Sequence, residues 1–283
     1  MTIKEIDEAL EEGNSLKQIA QAYSEIANLK IKRIRSEVER NRIFFEEISQ
    51  VYALIKKLSI KKKINVLKPK KMVSLVLTSN YRFYGSINSD LIDYFVATTQ
   101  KLDCDRIMLN KAAIDYFRAK AVFKNYREIS LKDDQPNSSE LAELTNILKD
   151  YNQVFVFYSS LKSLLIQKPQ AVDITASSEA LLDSAGLRDG KMEFRFIFEP
   201  QLQQILAFFD SQIITLLLEG TFLESELSRT ASRFISMDQA ETEANKFIKE
   251  MMGLKAYVKR NQDNNTILEN FASMAAIRKG GYA

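Results

Sequence analysis

The run LESELSRTASRFISMDQAETEANKFIKEMMGLKAYV, residues 223–258, contains no proline. Apolar or small residues recur in it at Leu223, Leu227, Thr230, Phe234 and Met237, and again at Ala244, Phe247, Met251, Leu254 and Val258. Steps of three and four place them on one narrow helical stripe, the signature of a coiled-coil seam. Gly220 and Gly253 weaken this helix without ending it. One helix over residues 201–279 would extend roughly 120 Å at about 1.5 Å per residue, far more than a small domain can bury, so it needs a partner along its length. The N-terminal residues offer one, with Leu16, Ala20, Tyr23, Ala27, Ile31, Ile34 and Val38 in the same steps. All four prolines, Pro69, Pro136, Pro169 and Pro200, lie between the two runs, leaving residues 1–68 and 201–283 free of a helix breaker. The expectation is two helical arms paired as an antiparallel coiled coil that projects from the middle of the chain.

The middle reads as a Rossmann-like α/β domain. Strands are expected at Val73 to Thr78, Arg106 to Leu109, Gln153 to Tyr158 and Glu193 to Phe198. Helices are expected at about Asp90 to Leu102, Lys111 to Ala119 and Ser138 to Asp150, and this alternation favours a largely parallel sheet. The division is therefore 1–68 (helix and basic linker), 69–200 (α/β domain) and 201–283 (second helix). Residues 56–71, KKLSIKKKINVLKPKK, read as a solvated linker, or as a site for an acidic protein surface or anionic membrane.

Composition removes whole classes of chemistry. No histidine is present among 283 residues, so the common general base, the common zinc ligand and the Ser/His and Cys/His pairs are missing together. The net charge of +3 is the small difference between 40 basic and 37 acidic residues, which speaks against nucleic acid as a partner. The single cysteine, Cys104, excludes an internal disulfide. No run reaches about 18 uninterrupted apolar residues, so no direct membrane span is expected. The start MTIKEIDEALEEG lacks a signal-peptide pattern, and an intracellular, soluble protein is expected. The carboxylate pairs Glu224/Glu226, Glu241/Glu243 and Asp133/Asp134 read as solvated charge.

Between the first strand and the first middle helix lies TSNYRFYGSINSD, residues 78–90. A strand, a glycine-containing loop and a helix is the layout of many phosphate sites, but a dinucleotide fingerprint or a P-loop needs more glycines or a Gly-Lys-Ser/Thr ending. Only Gly85 is present, and Arg82, Phe83 and Tyr84 would crowd a phosphate. Ser79, Asn88 and Ser89 are expected to cap the following helix. In the C-terminal arm, the seam positions after Val258 fall on Asn261 and Asn265 within KRNQDNN, before Leu268, Ala272 and Ala275. Such a polar break either fixes coiled-coil register or faces another protein.

These residues together resemble the gamma subunit of F-type ATP synthases from end to end. The N-terminal KEI (Lys4 to Ile6), Ile19, Ala22, Ala27, Lys30 and Arg33 match the family's opening helix. The loop is similar to the family's T-S-D-R-G-L-C-G-G-L-N-S/T segment, keeping Thr78, Ser79, Gly85, Asn88 and Ser89. Lys111, Tyr116-Phe117, Tyr158 and Phe198-Glu199-Pro200 fit, as do Glu224-Ser225, Ser228, Arg233, Met237, Ala240, Ala244, Tyr257, Lys259, Gln262 and Thr266.

The resemblance implies a rotor shaft without catalytic residue, metal or cofactor of its own. Its coiled coil would turn inside a ring of alpha and beta ATPase subunits, with an epsilon-type subunit as a further partner and a membrane c-ring as an optional one. Partner contacts are then expected at Tyr23, Arg82, Tyr84, Arg260, Gln262 and Thr266. Tyr23 stands for a family Met, Asn80-Tyr81-Arg82 for Asp-Arg-Gly, Tyr84-Gly85-Ser86 for Cys-Gly-Gly, Asn261 for Arg and Arg229 for Glu. Changes at such contacts suggest a divergent machine, either an ATP synthase or an F-like ATPase with another output. A free coiled-coil adaptor is the alternative from another class.

Overall fold

The computed structural model describes residues 1–61, 71–175 and 201–280. The order is α1 (Ile3–Lys61), β1 (Met72–Leu77), α2 (Ile87–Thr99), β2 (Asp105–Leu109), α3 (Lys111–Lys120), β3 (Arg127–Ile129), α4 (Ser138–Leu148), β4 (Gln153–Ser163), β5 (Ile166–Asp173) and α5 (Leu202–Gly280). Two compact units result, one of Met1–Ile26 with Phe234–Ala283 and one of Ala27–Arg233, and both long helices contribute to each.

The larger unit is built on a five-stranded sheet ordered β3-β2-β1-β4-β5. β1 is central and buried on both faces, which is why it reads as a near-continuous apolar run. Alternation sends Val73, Leu75 and Leu77 to one face, against Leu144 and Leu148 of α4 and Ile214, Leu218 and Phe222 of α5. Val76 faces the other way with Met108 and Phe157, against Phe95 of α2 and Phe117 of α3.

The sheet is largely parallel, as expected, with one antiparallel strand added. β1, β2, β3 and β4 are parallel, but β4 runs past Tyr158 to Ser163 and returns as antiparallel β5. β5 escaped sequence reading because it is an edge strand carrying Lys168, Pro169 and Gln170, residues that guard an edge and blur apolar alternation. β3 is too short to leave a pattern. The strand expected at Glu193 to Phe198 and the linker residues 62–70 lie outside the described residues.

Within this unit α1 and α5 pack antiparallel. Tyr52 and Ile55 cluster with Leu206 and Ile213, Tyr52 stacks on Phe209, and its hydroxyl donates to Asp210. One 18-residue window of α5 within Gln204–Met274 has a mean hydropathy of 1.4, enough by length and composition to cross a membrane. At this end of α5 Leu206, Ile213, Ile214, Leu218 and Phe222 are buried against the chain's own clusters, while only 33% of that window is buried and Phe208 is 59% exposed.

In the smaller unit the same two helices pair antiparallel. Gln21 Nε2 donates to Glu241 at 2.7 Å, Asp7 pairs with Lys255 at 2.5 Å, and Gly13 lies against Phe247 and Ile248. The seam differs from the expected stripe. Ile6, Gly13 and Ala20 are buried at heptad spacing, while Leu16 and Tyr23 are exposed, and Ile248 rather than Phe247 takes the buried position. Small residues allow close helix approach, so packing rather than side-chain apolarity sets the seam. A Cβ on Gly13 would stand 3.1 Å from Phe247 Cδ1 and 3.2 Å from Ile248 Cγ1. Gly13→Leu is therefore expected to destabilise the pairing by about 1–3 kcal/mol despite better helix propensity, read as a lower thermal midpoint of the helical CD signal.

Beyond Val258 the helix is uncovered, and every residue from 259 to 274 is exposed. Asn261 and Asn265 thus meet no seam among the described residues, which favours a surface facing another protein over a register role for the polar break.

Candidate functional site

Residues 78–86 leave the C-terminal end of β1 and return into α2. Two backbone reversals shape the loop, Gly85 at φ 59° and Phe83 at φ 68°. Glycine adopts this region freely, whereas a phenylalanine there is strained. Phe83 and Tyr81 are 61% and 51% exposed, while Tyr84 is almost fully buried.

The base of the loop is stitched by side chains that replace a missing ladder. Thr78 Oγ1 donates to the Leu109 carbonyl at 2.7 Å and accepts from the Ala113 amide. Asn110, at φ 70°, donates to the Thr78 carbonyl and accepts from the Leu131 amide. Ser79, Asn88 and Ser89 do not cap α2. The N-cap residue is Ser86, without a side-chain cap bond, and Asn88 instead donates to Ser79 Oγ across the loop.

Asp134 and α5 then hold the loop. The Asp134 carboxylate accepts from the Asn80 amide at 2.6 Å and from the Tyr84 hydroxyl at 2.7 Å. From α5, Ser232 donates to the Tyr84 carbonyl, Arg233 donates to the Arg82 carbonyl, and the Arg233 guanidinium covers the Tyr84 ring at 4.2 Å. Arg229, buried with Glu226, donates to the Thr78 carbonyl, Ser225 Oγ, the Asp134 carbonyl and, at 2.9 Å, the Glu226 carboxylate. Lys30 of α1 closes an ion triad on the other Glu226 oxygen.

Each of the three carboxylate pairs expected to be solvated therefore supplies at least one structural partner. Glu226 is fully buried in the triad, and Glu224 accepts from Tyr158 at 2.9 Å and Ser160 at 2.5 Å. Asp134 is buried, and Glu241 accepts from Gln21. Spacing along one helix does not reveal partners contributed by a distant loop, which is why these were missed.

Burial works against the charge of Glu226, but Arg229 and Lys30 outweigh it and hold the carboxyl below the ordinary glutamate range. Its contribution to stability is then complete above the unfolded value of about 4.3 and is lost as pH falls through the lower folded value. Acid titration of unfolding should show this loss, and Glu226→Gln should flatten it. Burial, with Glu226 and Asp134 nearby, pushes the Tyr84 hydroxyl well above the tyrosine range, so it stays a donor.

The predicted contact residues thus separate. Arg82 is exposed at the loop, Tyr84 faces inward and anchors it, and Tyr23, Arg260, Gln262 and Thr266 belong to the helical unit. The Tyr84 hydroxyl donates to Asp134 and its carbonyl accepts from Ser232. Gln262 and Thr266 share a face, the Thr266 hydroxyl donating to the Gln262 carbonyl at 3.0 Å, whereas Arg260 points elsewhere at about 100° per residue. Among the described residues no cluster of His, Cys, Asp or Glu suits a metal.

The family model described as ATP synthase matches residues 2–262. The chain belongs to the ATP synthase family, as a gamma-type chain. The ATP synthase gamma chain of Staphylococcus saprophyticus is 22% identical over 264 residues, covering 88% of this chain and 90% of that one. The gamma chain of Staphylococcus aureus is 20% identical over the same shares. Among solved structures, a chain of the Euglena gracilis mitochondrial ATP synthase OSCP/F1/c-ring assembly aligns at TM-score 0.68 and 16% identity, covering 100% of this chain and 96% of its own. A chain of the Tetrahymena thermophila mitochondrial ATP synthase central stalk and c-ring aligns at TM-score 0.58 and 19% identity, with 78% and 99% covered. These structures share the fold, a mixed sheet between long terminal helices. As a gamma-type chain of this family it is a subunit of an enzyme complex.

Proposed function

We propose that this gamma chain turns inside a ring of alpha and beta subunits and converts their ATP turnover into rotation, or the reverse, with no catalytic residue of its own. One observation carries the reading. Exposed Leu16, Ile19 and Ile26 on α1 and an α5 end exposed at every residue from 259 to 274, including Ile267, Leu268 and Phe271, are helical surface that the described residues leave uncovered. Apolar surface of that extent belongs to an interface.

Tyr23, Arg82, Arg260, Gln262 and Thr266 are the proposed ring contacts, with Tyr84 acting indirectly by holding Arg82 and the loop in place. The sequence division 1–68, 69–200 and 201–283 then describes first shaft helix with its basic linker, foot and second shaft helix. An epsilon-type subunit and a membrane c-ring complete the partners, and the chain works as a peripheral subunit on the cytoplasmic face of the membrane. Co-expression with matching alpha and beta chains tests this. Recovery of one complex containing all three supports the shaft, and recovery of a stable, self-associating chain apart from the ring refutes it.

A further inference from the structure

The pairing of β4 to β1 ends at Phe157 opposite Val76, yet β4 continues to Ser163, leaving roughly 20 Å of hairpin beyond β1 at about 3.3 Å per residue. Its base is fixed to α5 through Glu224, which takes hydrogen bonds from Tyr158 and Ser160. Its turn is closed by Gln167 Nε2 donating to the Leu164 carbonyl at 2.7 Å. At the tip Leu164, Leu165 and Ile166 are 41%, 79% and 50% exposed. Lys162 and Lys168 are exposed just behind them, and no Asp or Glu occurs between Ser159 and Val172.

Three apolar residues at the end of a supported hairpin are costly to leave in water, and the two lysines give the tip one sign of charge. The hairpin also leaves the sheet at the C-terminal edge of its parallel strands, the edge that carries the Arg82 loop. We propose that this tip is a second docking point, taking an acidic segment with apolar side chains on the ring subunits that meet Arg82. The inference rests on the shaft reading. Complementary charge steers the encounter, and burial of Leu165 holds it. An anionic lipid surface would suit the same lysines, but the tip shares its edge with the proposed ring contact, which favours the protein.

Hydrogen exchange of the full chain, alone and assembled with its alpha and beta subunits, tests the proposal. Amides of Leu164 to Lys168 should exchange about tenfold or more slowly in the complex. Leu165→Asp combined with Lys162→Glu and Lys168→Glu should abolish that protection while the complex still forms. Assembly without protection of the hairpin overturns this docking point and leaves the shaft reading intact. Protection by phosphatidylglycerol vesicles, but not by the ring, also overturns it. Failure of the chain to assemble at all overturns both.

Discussion

Arg229→Met is expected to lower the stability of the sheet-containing unit by about 3–5 kcal/mol. The guanidinium is buried, and it satisfies two carbonyls, a hydroxyl and the Glu226 carboxylate together. Its loss leaves a fully buried carboxylate with only the half-exposed ammonium of Lys30 for a partner. The cost is that of stranding a charge, not the net worth of the pair. Arg229→Met combined with Glu226→Leu should therefore recover most of the loss, because an apolar replacement removes the stranded charge as well. Urea unfolding followed by tyrosine fluorescence measures this in a chain without tryptophan. A single variant as stable as the parent would mean the clamp does not carry the loop.

The second large effect belongs to Phe95→Ala, with an expected loss of about 3–5 kcal/mol. Phe95 is fully buried and sits edge-on to Phe157 at 4.9 Å, to Phe117 at 6.1 Å and to Phe123 at 6.3 Å. It joins α2, α3 and β4 across the face of the sheet away from α5. Small movement of the surrounding rings cannot fill the space of a lost ring, so the cavity cost adds to the transfer cost. Phe95→Leu, which keeps most of the volume, should lose less than half as much in the same urea titration.

What was legible in the sequence was what repeats. Steps of three and four along residues 223–258 announced α5 and its need for a partner, and the apolar run Met72–Leu77 announced a buried central strand. Ala20, Ala27, Ile31 and Ile34 of the expected stripe are buried, but Gly13 was hidden because it carries no side chain, and Leu16 and Tyr23, expected in the seam, are exposed. Apolarity alone does not tell a seam from a surface kept for another protein. The clamp was hidden for a different reason. Arg229, Glu226, Asp134, Tyr84 and Lys30 come from four distant places in the chain, and each by itself resembles an ordinary surface residue. Arg229 stands out in the sequence only as a departure from a family Glu, and the Glu226 carboxylate with two carbonyls and a hydroxyl around it is what accommodates a buried cation there.

The departures in the loop also take on a physical meaning. Tyr84 in place of a family Cys gives Asp134 a donor and Arg233 a ring to cover, so the loop is tied to α5 by bonds its own side chains make possible. Tyr81 reaches Asp133 at 2.6 Å and Phe83 is held at positive φ, which leaves Arg82 displayed between them.

Rotation of single complexes tests the shaft most directly. With the ring fixed to a surface through its alpha and beta subunits, a bead is attached to this chain at Lys101→Cys in a Cys104→Ser background, Lys101 being exposed. On addition of ATP the bead should turn in one direction in regular steps, and stop when ATP is removed. A complex that hydrolyses ATP at full rate while the bead stays still would contradict the account.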